Sequence, residues 1–491
     1  MGWPWPEDFP ETVGLLDTFN PTSVLTTARE IITLWVSRMV MFNRYFLDGR
    51  LPFDDVFIHA MIQDGHGQKM SKSLGNGVDP RDIIHTHGAD AMRFALVQMT
   101  TDTQDVRMPV ELVCPYSGQA FVPEFITTSA GHVVAAPLQI SPADPAKQMV
   151  SAYGVAAGLV EPTAELPLAR NTSSKFDLGR NFANKLWNAT RFALKRVDPA
   201  ASIAEPIRIE DRPFADRWIT ARLARTVDRL ESALVGYQFN AYADSLYDFV
   251  WHDVCDRYLE MVKPTIDDDH AQQAVLTSVL DAVLRIMHPV CPFVTEALWP
   301  HVSAARCGDL DGLDLPPSGL LAGATWPSID VRLHDSAAIA VFDRADELIG
   351  RIRAVRGSQS LSPKQRIVVH APSSTRELFT AVDGAIEVLA GIGELIDIGT
   401  ERPAIVSPIT FEGAEILLSG LMDDVDLDQE RARLHKAIEG KTKQIAGFHG
   451  RLSNQGFLAN AKPEVVAETR AMLVAAEADL AAAQTALANL G

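Results

Sequence analysis

Hydrophobic positions recur at several rhythms along the chain, and the clearest stands at its end. Leu427, Leu434, Ile438, Ile445, Phe448 and Leu452 advance in three- and four-residue steps, interrupted by Arg431 and Lys441. After a turn expected at Asn454–Pro463, Val466, Thr469, Leu473, Ala476, Leu480, Ala483, Leu487 and Leu490 continue the rhythm. Two heptad helices joined by a short loop predict an antiparallel coiled-coil hairpin over 425–491. Upstream, Phe182, Leu186, Ala189 and Phe192 fall near 3.6-residue spacing within a helix over Phe176–Ala193. Further helices are expected at Asp216–Val235, Gln238–Val262 and Ala271–Met287, and the proline-bearing stretch His288–Trp299 breaks and restarts the chain. An α-helical bundle over 175–330 follows from this succession.

Elsewhere the runs are shorter. Strands at Arg366–His370, Ile396–Ile398, Ala404–Val406 and Glu415–Leu418, around helices near 337–356 and 375–392, predict a small α/β module over 331–424. Arg351, Arg353 and Arg356 on its first helix suit either phosphate contact or a solvated face. In the first 110 residues, strands near Val24–Leu25 and Val56–His59 flank an amphipathic helix from Arg29 to Phe46, the pieces of one α/β sheet layer. Residues 111–174 break the pattern: Pro, Ala, Ser, Thr and Val dominate, a turn is expected at Cys114–Gly118, and short strands at Gly131–Val134 and Leu138–Ile140. This segment reads as a β-rich insertion of unknown role.

Composition narrows the class. Apolar residues make up 47% and charged residues 22% of 491 positions, ordinary for a soluble globular chain with several cores. No apolar run approaches the ~20 residues of a membrane span, so no membrane partner is expected. Four cysteines without a Cys-x-x-Cys pair indicate neither a disulfide framework nor a zinc ribbon, and suit a reducing cytoplasm. A net charge of −19 argues against a surface coated with nucleic acid. One stretch departs from that balance: between 429 and 452, Arg431, Arg433, Lys436, Lys441, Lys443 and Arg451 face only Glu430 and Glu439. Either a solvated coiled-coil face or a salt-sensitive contact with nucleic-acid phosphates fits them.

Chemistry concentrates at Gln68-Lys69-Met70-Ser71-Lys72-Ser73-Leu74-Gly75-Asn76. Two ammonium groups three residues apart, among serine hydroxyls and free backbone N–H groups, can converge on one polyanion. A lone Lys-x-x-Lys reads as an exposed basic loop, but all five letters Lys-Met-Ser-Lys-Ser resemble the signature loop of the class I aminoacyl-tRNA synthetases. The sequel fits: Asp79-Pro80-Arg81-Asp82 predicts a helix with Asp79 as N-cap and Pro80 at N1, and Gly88-Ala89-Asp90-Ala91-Met92-Arg93 starts another. Thr27–Met39 is similar to the segment beneath the amino-acid and adenylate pocket, with Ala28 and Glu30 where the family shows Gly and Asp. Phe239-Asn240-Ala241 and Leu246–Trp251 resemble the anticodon-binding bundle of the valyl-tRNA synthetase family. Leu452-Ser453-Asn454 with Lys462–Val466 is similar to the hinge of that family's C-terminal arm, which separates it from the isoleucine and leucine enzymes.

The resemblance implies a partial α/β nucleotide-binding (Rossmann-like) domain over 1–110, followed by the insertion, an anticodon-binding bundle, the small module and a tRNA-binding arm. It implies ATP-dependent activation of valine and transfer to tRNA-Val, with Lys69 and Lys72 catalytic and Lys69, Met70, Ser71, Lys72 and Ser73 binding ATP. Trp35 and Glu30 would line the amino-acid pocket, and Asn76 and Asp79 would shape the loop's far end. Magnesium would accompany ATP, although no residue identifies itself as a metal ligand. The His-x-Gly-His motif that holds adenine in this class is missing, as is room for the editing domain. The chain therefore reads as the C-terminal half of a ligase, monomeric when complete, cytoplasmic, and inactive without a catalytic fragment supplied separately. The competing readings are a non-catalytic tRNA-binding derivative and another branched-chain class I ligase.

Overall fold

In a computed structural model the described residues are 14–101, 104–198, 200–399, 406–421 and 424–453, with scattered helical positions from 465 to 487. The side chains of 424–433 are outside that description. Trp3 and Trp5, expected with Trp35 and Phe57 on an apolar face left uncovered at the edge of the first sheet, lie outside the described residues, as do Ala404 and Ile405 of the strand expected at Ala404–Val406, the turn at Asn454–Pro463, Ala483 and Leu490. The chain divides into two compact units, Met1–Ile339 and Ala340–Gly491.

The first unit opens with a parallel pair, Thr22–Ala28 against Phe53–His59, in register from Thr22↔Phe53 to Ala28↔His59. Parallel neighbours need a crossover, and Arg29–Phe46 supplies it. It is not the single α-helix its periodicity predicts. A 3₁₀ turn (Arg29–Ile31) and a π-helical turn (Ile32–Val36) precede the α-helix Ser37–Phe46. Ile31, Ile32, Thr33 and Val36 crowd the preceding turn through their branched Cβ atoms, and Ser37 Oγ donates to the Thr33 carbonyl, which competes with the regular ladder. Leu34, Met41, Phe42, Tyr45 and Phe46 on this crossover are exposed. Phe57, expected on the same uncovered face, is instead packed against Tyr237 and Phe239, at 5.8 and 5.2 Å between ring centroids. A second parallel pair, Ile62–Asp64 with Val106–Met108, brackets the lysine-rich loop and the helices Pro80–His87 and Ala89–Met99.

Residues 111–173 form short antiparallel ladders. Glu111–Val113 pairs with Ala120–Phe121 and Arg170–Thr172, Phe125–Thr127 with Val133–Ala135, and Leu138–Ile140 with Gln148–Val150. Two hairpin tips meet where Cys114 Sγ lies 3.3 Å from Ser141 Oγ.

The helical region comprises Lys175–Leu194, Phe214–Val235, Phe239–Val262, His270–Met287 and Pro292–Ala305. Asp248–Tyr258, expected as α-helix, is π-helical. Every residue from Gln272 to Met287 is buried. Within that stretch Arg285 Nε donates to Asp281 at 2.6 Å and its other nitrogens donate to the carbonyls of Pro316 and Thr325, whereas Ser278 Oγ meets no partner among the described residues. Lys175–Leu194 lies tight on Ala89–Met99 at Gly179, where an added Cβ would come 2.5 Å from the Ala91 carbonyl oxygen. Asp90 carboxylate oxygens accept from the Phe293 and Val294 N–H groups at 3.1 and 2.6 Å, capping Pro292–Ala305. The aromatic set splits: Phe182, Phe249 and Tyr242 are core, whereas Trp187 is 43% exposed.

The second unit contains a mixed sheet in the order Ile392–Asp397, Ile367–Ala371, Ala414–Ser419, Ser407–Phe411, only the first pair being parallel. The helix expected over 375–392 is two, Ser373–Ala381 and Ala385–Ala390, because Asp383 and Gly384 both take positive φ between them. Arg351, Arg353 and Arg356 donate to the carbonyls of Thr410, Leu389 and Gly391, so these guanidiniums serve the module's own packing. Along the helix Asp424–Ser453, Leu434 and Phe448 are buried, and Ile438, Lys441, Ile445 and Leu452 are half-buried. Beyond it, Thr469 and Ala476 are buried, and His449 Nε2 lies 3.6 Å from Glu477.

Candidate active site

The lysine-rich loop is closed by a carboxylate that the strand before it delivers. Asp64 ends Ile62–Asp64 and is 3% exposed. One of its oxygens accepts from the His66 and Gln68 N–H groups, both at 2.9 Å. The other accepts from Gln68 Nε2 at 2.9 Å and Asn76 Nδ2 at 2.8 Å. Burial would raise the pKa of this carboxyl; the hydrogen bonds from Asn76, Gln68 and His66 outweigh it and hold the group below its ordinary value. Asn76, itself buried, also accepts from the Ser71 N–H at 2.8 Å and donates to the Lys69 carbonyl at 3.3 Å. Asp64 and Asn76 thus buckle the loop across its base.

Within the buckle, Met70 packs on a core of Ile83, Ala95, Met108 and Phe176. Ser71 Oγ accepts from the Leu74 N–H at 3.2 Å and lies 3.1 Å from Ser73 Oγ. Lys72 is exposed, and no described residue pairs with it. Lys69 Nζ lies 2.7 Å from Glu30 Oε2, so the crossover after the first strand reaches the loop. Asp79 caps the following helix, accepting from the Arg81 N–H at 2.9 Å with Pro80 at the first helical position. Two cations, two hydroxyls and a rigid base suit an extended polyanion such as a triphosphate.

The expected residues do not all converge. Glu30 joins Lys69, but Trp35 is 44% exposed and lines an open depression with Ile31, Leu34, Arg38, Met39 and Phe42, none of them from the loop. Lys436, Lys443 and Arg451 stand seven and eight residues apart on one exposed helix face, with Lys443 paired to Glu439 at 2.8 Å. Lys441 lies on the half-buried seam, and the Arg431 and Arg433 side chains lie outside the described residues. The residue order did not single out Asp64, the hold of Gln68 upon it, or Asn171, whose Nδ2 donates to the Gly75 and Gly77 carbonyls. The signal for Asp64 was its place after a strand and before Gly-x-Gly, where a short carboxylate collects local N–H groups. Asn171 gave none, being distant in sequence.

Family models match three stretches. "tRNA synthetases class I (I, L, M and V)" covers residues 4–109, "Anticodon-binding domain of tRNA ligase" residues 216–371, and "Valyl tRNA synthetase tRNA binding arm" residues 426–491. Among curated relatives, the valine–tRNA ligase of Rhodopirellula baltica is 34% identical over 98% of this chain and 46% of its own length. Those of Syntrophotalea carbinolica and Thermotoga maritima are 32% and 30% identical over 100% and 99% of the chain, and 46% and 47% of their own lengths. The chain therefore spans about half the length of the relatives it matches. Together the class I fold with its helical anticodon-binding region, the arm and these relatives establish that the chain belongs to the valyl-tRNA synthetase family.

Proposed function

We propose that the chain is the part of a valine–tRNA ligase that carries the signature loop, the anticodon-binding bundle and the tRNA-binding arm. The observation that carries this reading is the loop itself: a buckled base, a Lys72 that no described residue pairs with, and Lys69 held beside Glu30. In the complete reaction the valine carboxylate attacks the α-phosphorus of ATP, pyrophosphate leaves, and the valyl group then passes to the 3′ end of tRNA-Val. Lys72 and Lys69 stabilise the charge that grows on the leaving β,γ-phosphates, while Ser71 and Ser73 add donors to the same oxygens. Met70 seats the loop, and Glu30 releases Lys69 when the more highly charged polyphosphate arrives. Trp35 walls the amino-acid pocket once the exposed crossover is covered.

Magnesium accompanies ATP in this class, but the groups here do not fit it. Asp64 already accepts four hydrogen bonds, and no metal-holding cluster of His, Cys, Asp or Glu occurs among the described residues. The domain layout proposed is 1–110 catalytic, 111–174 insertion, 175–330 anticodon-binding, 331–424 small α/β module, and 425–491 a coiled-coil hairpin. The half-buried seam Leu434–Leu452 supports the hairpin. Its outer face, with Lys436, Lys443 and Arg451, lies along tRNA phosphates.

The test is Lys72→Ala in the enzyme completed by a fragment bearing the catalytic half. Valine-dependent pyrophosphate exchange should slow by ~10²–10³, the loss expected of one transition-state donor, with valine affinity unchanged. Near-normal exchange in that variant would remove Lys72 from the chemistry.

A further inference from the structure

Side chains outside the five-letter motif tie both ends of the loop to the β-rich segment 111–173. We propose that this segment is a built-in clamp that positions the loop's lysines; its bearing on catalysis rests on the ligase reading, its action on the loop does not.

At the loop's start, Gln68 Nε2 donates to the Val133 carbonyl at 2.6 Å, and Gln68 Oε1 accepts from the Val133 N–H at 2.9 Å. The amide thereby acts as an extra strand residue on the hairpin Phe125–Thr127/Val133–Ala135. At the loop's end, Asn171 Nδ2 donates to the carbonyls of Gly75 and Gly77 at 2.8 and 2.7 Å. Asn171 is 7% exposed and fixed in the ladder Arg170–Thr172/Glu111–Val113. Gly75 has φ +57°, and an added Cβ would come 2.3 Å from the Tyr153 backbone nitrogen, so the chain runs hard against Ala152–Tyr153. The His66 ring meets Phe125 edge-on at 4.7 Å.

Only Lys69–Leu74 lie between these anchors. Lys72 can therefore reorient without the loop sliding along the surface, which is what transition-state contact with a phosphate requires. Hydrogen bonds carry the grip more than packing does: a cavity of about 250 Å³ separates loop base from hairpins, walled by Asp64, Asn76, Leu112, Phe125 and Val134. Removing the donors should free an end without collapsing a core.

Amide hydrogen exchange on the full 491-residue chain tests this with Gln68→Ala and Asn171→Asp, the second keeping the shape and losing both donors. In each, amides of Lys69–Gly77 should exchange about tenfold faster or more, with the helices of 175–305 unchanged. Unchanged loop exchange in both variants would overturn the clamp. Should Asn171→Asp loosen the helices as well, Val133→Pro decides the matter, because it removes the N–H that Gln68 Oε1 accepts and leaves Gln68 Nε2 on Asp64. In the completed enzyme, Gln68→Ala should lower kcat for pyrophosphate exchange about tenfold with KM for valine unmoved. Its effect should also be less than multiplicative with Lys72→Ala, because both act on one group. A fully multiplicative pair would contradict positioning through Lys72. Absence of exchange in the completed wild type would count against the ligase reading and leave the amide result to judge the clamp.

Discussion

Asp64 at the base of the loop and Asp216 inside the helical bundle are both buried, and their surroundings push them in opposite directions. Asp64 receives four donors, and its carboxyl titrates below the ordinary range. Around Asp216 desolvation wins over the hydrogen bond from Tyr258 OH at 2.7 Å, and the pKa rises to about 7. The difference follows from what each region is built to do. The bundle excludes water with apolar side chains, and a carboxylate caught in it is tolerated best when neutral. The loop has little apolar mass of its own; a charged carboxylate that gathers N–H groups fixes its shape while its lysines stay in water. One region is held by burial, the other by a polar buckle.

Truncation should separate them most widely. Leu280→Ala, in the helix His270–Met287 that is buried from Gln272 onward, should cost ~2–5 kcal/mol, read from thermal unfolding of the helical signal. Lys72→Ala should change that unfolding by less than ~0.5 kcal/mol, though the same change is expected to slow pyrophosphate exchange by ~10²–10³. Equal stability losses would erase the distinction between regions. Next comes Gly179→Ala, which forces a Cβ onto the Ala91 carbonyl and should cost ~1–3 kcal/mol unless the helices part.

Smaller and more pointed are the pH effects, whose signs are opposed. Asp216 has a folded pKa raised above its unfolded value, so the unfolded chain loses that proton first. Its contribution to bundle stability therefore falls as pH rises from about 4 to about 7 and is flat above. Asp216→Asn should remove that slope, measured as melting temperature against pH. Asp64 has a depressed folded pKa, so its contribution is present above the unfolded pKa and is lost as pH falls through the folded one. Loop amides, corrected for intrinsic rates, should lose protection in acid, and Asp64→Asn should be less protected at neutral pH with no acid step. Parallel responses from the two aspartates would break the comparison.

What was legible in the sequence follows the same division. Local chemistry could be read: Asp79-Pro80 caps its helix, the lysine-rich loop sits between a strand and that helix, and the buried seam of Asp424–Ser453 keeps the heptad rhythm. Apolar spacing also located the bundle helices to within a few residues. It did not reveal the π-helical Asp248–Tyr258 or Ile32–Val36, because a one-residue widening of the turn barely alters a hydrophobic pattern. Nor did it find the grip of Gln68 on Val133 or of Asn171 on Gly75, 65 and 96 residues apart in the chain. Such contacts depend on how elements pack, which residue order alone leaves open. The arginines of Ser336–Ser358 teach the converse: a basic row that suited phosphates is spent on neighbouring carbonyls.

The exposed crossover Arg29–Phe46, with Leu34, Phe42 and Tyr45 at 60%, 60% and 82% exposure, belongs with neither pattern. An apolar face of that extent calls for a cover, and the proposed cover is the part of the longer curated relatives that lies beyond the region matched here. The most direct measurement is valine-dependent pyrophosphate exchange by the 491-residue chain, alone and after co-expression with a fragment carrying His-x-Gly-His. No exchange is expected from the chain alone, with recovery on adding the fragment, dependent on Lys72. Robust exchange by the chain alone would contradict this, because the adenylate site would then be complete within these 491 residues.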